Sequence, residues 1–140
     1  MFWSLLDEKE KSRVLLKILV HLARADGHIQ EEEFSYLLFV ATRLHVETEE
    51  LRDLCKGNEE FNEFLPHDEQ DRMNVLYHLL FLMDADKIVD KREEAIVYHF
   101  GHRLGFSELM VRDFIQVFRI DDLDDLPPTV MLDIIKKYQN

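Results

Sequence analysis

Carboxylates recur at a fixed interval in this chain, and they are the side chains with the most chemistry to offer. The stretch Ala25-Asp26-Gly27-His28-Ile29-Gln30-Glu31-Glu32-Glu33 is answered sixty positions later by Ala85-Asp86-Lys87-Ile88-Val89-Asp90-Lys91-Arg92-Glu93. Asp26 and Asp86 fall at the carboxyl ends of expected helices, where the helix dipole is already negative, and Asp84 adds a second acid to the later copy. A local rule broken in both copies is what a site looks like. Glu33 and Glu93 open the helices that follow, so each loop can bring two or more carboxylates together, with Asp90 as a further donor. Such oxygen donors, completed by loop carbonyls, suit Ca²⁺, Mg²⁺ or Mn²⁺. The competing reading is loop closure. Asp90-Lys91-Arg92-Glu93 has capping-box spacing, Glu33 has the same relation to Gln30, and Asp26 and Asp86 can close Asx turns.

The loops are not EF-hands. Counting from Asp84 places Val89 where glycine is required and Ala95 where the last glutamate belongs, and counting from Asp26 ends on Leu37. His99 and His102 beside Glu93 and Glu94, with His21 and His28 near the first loop, are a weaker zinc or iron candidate that lacks any Glu-x-x-His or His-Glu-x-x-His motif. Ser4, Ser12, Ser35, Ser107 and Cys55 have no glycine-rich elbow or recognisable base around them, so nucleophilic catalysis is not expected.

The elements that must position these acids are helical. The chain has 140 residues, of which 46% are hydrophobic, with 4 Gly and 3 Pro, and no useful stretch of alternating polarity. An all-α single domain over residues 1–140 is expected, with repeats at about 12–57 and 72–117 and a C-terminal helix at about 129–138. Ser4 is the expected cap of the first helix, and Arg13, Lys17, His21 and Arg24 form its narrow polar stripe. Helices are expected from Gln30 or Glu31 to about Leu44, from a Thr48 cap to Cys55, from about Asp68 to Met83, from Asp90 to Leu104, and from Ser107 to about Phe118. Asn74 and His78 supply the polar stripe of the second copy, and Phe34, Phe39, Phe81, Phe100, Phe114 and Phe118 read as core.

Gap-free identities carry the repeat beyond the loops: Leu16, Leu19, Leu22, Arg43, Leu44, Arg52 and Asp53 match Leu76, Leu79, Leu82, Arg103, Leu104, Arg112 and Asp113. Together with Ala-Asp-x-x-(Ile/Val) and the later Glu in each copy, this pattern resembles the TerB family of tellurite-resistance-associated proteins over about residues 12–118. The resemblance implies an all-helical two-repeat fold, no enzymatic activity, divalent-cation binding at the acidic loops, and a link to metal or oxyanion stress. Lys87 stands where the second loop is expected to have Gly.

A formal charge of -12 argues against nucleic acid or an anionic membrane as partner and for cations or a basic protein. No apolar run reaches the roughly 20 residues of a membrane span, and the acidic start Asp7-Glu8-Lys9-Glu10 is not that of a signal peptide. With Cys55 as the single cysteine, a reduced, cytoplasmic setting is expected. Two other functional readings stay open: a metal-free adaptor that docks a basic or amphipathic segment between the hairpins, and a metal-dependent hydrolase.

Overall fold

The computed structural model describes residues 7–24, 27–57, 66–83, 91–120 and 136–137. The regular structure among the described residues is all α-helix, with no strand: α1 (Glu8–Ala23), α2 (Glu31–Arg43), α3 (Thr48–Lys56), α4 (Glu69–Met83), α5 (Lys91–Arg103) and α6 (Glu108–Ile120). Cα proximity divides the chain into two compact units, Met1–Leu65 and Pro66–Asn140.

In the first unit, α1 begins one turn later than the Ser4 cap implies. Asp7 is the N-cap: its Oδ1 accepts from the Glu10 amide at 2.8 Å, and Glu10 Oε1 accepts from the Asp7 amide at 3.3 Å. This reciprocal box satisfies two of the four amides that a helix start leaves open, which is why the helix begins there. Val14, Leu15, Leu16, Ile18, Leu19, Val20 and Ala23 are all buried, while Arg13 and His21 are exposed and Lys17 and Arg24 half-buried, as the polar stripe requires. After α1 the chain turns at Gly27, whose φ of 99° lies in the left-handed region and whose amide donates to the Arg24 carbonyl.

α2 packs on α1, and α3 packs on both. The buried side of α2 is Glu33, Leu37, Val40 and Ala41, an i, i+4, i+7, i+8 set; Phe34, Leu38 and Phe39 are half-buried. Thr48 is the first residue inside α3 rather than its cap: Glu47 holds that position without a side-chain hydrogen bond.

In the second unit, α5 packs against α4 and α6. Asp68 starts α4, with its Oδ1 accepting from the Asp71 amide at 2.7 Å, and Ser107 starts α6, with its Oγ accepting from Met110 at 3.2 Å. The core is Met73, Leu76, Leu79, Met83, Ile96, Val97, Phe100 and Phe114, closed by an edge-to-face contact between Phe106 and Phe114 with centroids 5.6 Å apart. Two expectations are corrected. Phe81 is 46% exposed rather than core, and Asn74 is 8% exposed rather than part of a solvated stripe. The polar residues of α4 crowd its first turn, so periodicity marks the core face of the apolar stretch after it poorly.

α2 and α5 end alike. The amides of Leu44, His45 and Val46 donate to the carbonyls of Val40, Thr42 and Ala41, and those of Leu104, Gly105 and Phe106 donate to Phe100, His102 and Gly101. Both are Schellman closures, with a left-handed residue that is His45 (φ 60°) after α2 and Gly105 (φ 95°) after α5. Of the C-terminal helix expected at 129–138, the described residues Lys136 and Lys137 are helical, and Lys137 Nζ lies 3.4 Å from Asp113 Oδ2 on α6.

Candidate functional site

The two glutamates of the repeat share one environment within their own units. Glu33 and Glu93 are 4% and 3% exposed, and they are the two buried carboxylates among the described residues. Each is the third residue of its helix. The reason for burial is helical spacing. Glu33 stands one turn before Leu37 and two before Val40 and Ala41; Glu93 stands one turn before Ile96 and Val97 and two before Phe100 and Gly101. Both therefore lie on the side that faces the core, whereas Glu31, Glu32, Lys91 and Arg92 beside them are exposed.

Burial at these positions sets an energetic demand. A favourable helix dipole at a first turn contributes about 0.3–1 kcal/mol to a carboxylate. Removing an ion from water costs several kcal/mol, so the dipole alone is outweighed and strong partners are required. Neither glutamate stands without partners. Around the first loop, the Gln30 side chain does not cap α2; its amide nitrogen meets the His28 ring at 2.8 Å, and Tyr36 donates to Glu32 at 2.5 Å. His28 and Glu32 are thereby engaged with neighbours of their own.

Asp26, Asp84, Asp86 and Asp90 lie outside the described residues, so the capping box at Asp90 and the Asx turns lie there too. No cluster of three or more His, Cys, Asp or Glu side chains able to hold a metal occurs among the described residues. His99 is half-buried with its ring edge-on to Phe100, and His102 is exposed. The oxygen chemistry of Glu33 and Glu93, both withdrawn from water at a loop end, fits a hard divalent cation. Each would hold a separate ion within its own unit, together with donors of its own loop. Elsewhere, burial pushes the Cys55 thiol above its ordinary value, with Arg24 pulling the other way, which leaves it a weak nucleophile.

Comparison with protein-family models, with curated proteins and with solved structures gave no match. No helix among the described residues is long and apolar enough to cross a membrane.

Proposed function

We propose that this chain is a non-enzymatic, TerB-like helical module built from two repeated hairpin units, whose loops at Asp26/Glu33 and Asp86/Glu93 each take a divalent cation of the Ca²⁺, Mg²⁺ or Mn²⁺ class. The observation that carries the reading is the paired burial of Glu33 and Glu93 at positions sixty residues apart. Support for the repeat comes from the α2 and α5 bounds, which share that offset, and from the matching hydrogen bonds that close both helices. A bound cation attracts both carboxylates of a loop, which would otherwise repel, and offsets the cost of burying the glutamate. With charge -12, the same surface suits a basic protein partner, and a role in metal or tellurite stress follows by analogy with the family.

The test is thermal unfolding of chelator-treated protein with each ion added separately. A site filled at a hundredfold excess over its dissociation constant adds about 2.7 kcal/mol, or roughly 5–10 °C in a chain of this size. The rise should vanish loop by loop in Glu33→Gln and Glu93→Gln. If no ion moves the parent protein and both variants lose stability without metal, the glutamates are structural, and a metal-free adaptor becomes the reading to pursue.

A further inference from the structure

Within the first unit, a cavity of about 180 Å³ opens between α1 and α3. Along α1 it is lined by Lys17, His21 and Arg24, an i, i+4, i+7 row on one helix face; across from them α3 contributes Glu50 and Asp53. Val20 and Leu54 supply the apolar lining. Arg13, one turn before Lys17, pairs with Glu50 at the cavity edge. Cations therefore line the α1 wall and carboxylates the α3 wall, and each wall adds one apolar side chain.

Size and charge narrow the ligand. A cavity of about 150 Å³ holds a benzene-sized molecule, while sites for drug-sized ligands run to about 300–1,000 Å³. The volume here suits a molecule the size of an amino acid. A dianion such as phosphate would meet Asp53 and Glu50 as well as the overall charge of -12, and a plain cation would meet Lys17 and Arg24. A zwitterion satisfies both walls.

Three of the five cationic and acidic lining side chains have no charged counterpart in the second copy. Sixty positions on, Tyr77, Phe81 and Met110 stand in place of Lys17, His21 and Glu50, while the apolar lining positions stay apolar as Leu80 and Phe114. Asp53 is kept as Asp113 and Arg24 is replaced by Asp84, so the combination of a cationic α1 wall facing two acids belongs to the first copy alone.

We propose that the α1–α3 cleft binds a small zwitterion of the α-amino-acid class. Its carboxylate lies against Lys17, His21 and Arg24, its ammonium group against Asp53 and Glu50, and its side chain on Val20 and Leu54. The proposal is independent of the cation loops. It is tested by following backbone amide NMR signals of the full chain during titration with L-methionine, and in parallel with acetate, methylammonium and inorganic phosphate. L-methionine should give saturable shifts confined to residues 17–24 and 50–57, and the half-ligands should bind far more weakly. Arg24→Gln and Asp53→Asn should each weaken binding about tenfold or more, as expected for loss of a hydrogen bond to a charged group. His21→Phe, which installs the residue of the second copy on an exposed position, should weaken it with the fold intact by circular dichroism. Unmoved amides with L-methionine, equal affinity for phosphate or acetate, or folded variants that bind like the parent would each overturn the proposal.

Discussion

At single positions the strongest consequences come from backbone and charge. His45 holds a left-handed conformation that costs a side-chain-bearing residue about 1–2 kcal/mol, partly offset by the lower entropy of its unfolded chain. His45→Gly should therefore raise stability by about 0.5–1 kcal/mol, and Gly105→Ala should lower it by about 1 kcal/mol. A methyl at Gly105 meets nothing within 4 Å, so that loss is backbone strain alone. Chemical denaturation of the two variants checks both signs. Asp71 gives a pH prediction. Burial, and then the neighbouring Asp68 carboxylate, push its carboxyl above the ordinary value of 3.8. The folded state thus holds this proton more tightly than the unfolded chain. Its contribution is most favourable below the ordinary value and is lost as pH rises through the folded one. Asp71→Asn should accordingly be more stable than the parent at about pH 7, with the advantage gone at about pH 3. An advantage that is constant across that range would show that charge is not the cause.

At the scale of elements, α5 and α6 approach each other through Gly101. A methyl built there comes within 2.6 Å of Val111 Cγ2, and Val111 is β-branched on a helix, so its side chain has little freedom to swing away. Gly101→Ala gains up to about 1 kcal/mol in helix propensity but overpacks a close contact at a cost of about 1–3 kcal/mol. The clash wins, and the variant should melt below the parent. Adding Val111→Ala should recover part of the loss even though it removes a buried side chain of its own, and this coupling is measurable as a double-mutant cycle. Full additivity of the two changes would mean that the helices separate with ease.

Element boundaries were mostly legible in the sequence, because glycine and acidic or hydroxyl caps punctuate it: Gly105 marks the end of α5, and Asp68 and Ser107 stand at the starts of α4 and α6. What escaped was whatever depends on a helix's partners. His45 does the work of a glycine without being one. Ser4 is the expected cap, yet Asp7 holds that position, because it has a glutamate three residues on to complete the box. Phe81 looked like core by composition and is exposed. The carboxylates at Glu33 and Glu93 were recognised from their recurrence, but their burial follows from a face that mixes one acid with several apolar residues. The charged cleft was hidden because Lys17, His21 and Arg24 read as an ordinary solvated stripe until α3 was placed opposite them.

At the scale of the whole molecule, charge sets the conditions under which any cation effect must be judged. With 29 acidic and 17 basic residues the formal charge is -12, and such an excess destabilises the compact state through self-repulsion. Any salt should relieve it, since the screening length falls from about 30 Å at 0.01 M to about 10 Å at 0.1 M ionic strength. Added NaCl is therefore expected to raise the melting temperature gradually, levelling off as screening nears completion, in the parent protein and in the double variant Glu33→Gln/Glu93→Gln alike. The double variant carries two fewer charges and should show a slightly smaller slope. A bound divalent ion behaves differently: at fixed ionic strength its effect saturates, depends on which ion is used, and requires the two glutamates. Unfolding curves in MgCl₂, CaCl₂ and MnCl₂, each matched in ionic strength with NaCl, separate the two contributions. A divalent response that survives in the double variant with the same size and shape would assign the whole effect to screening of the acidic surface and leave the loops without an ion.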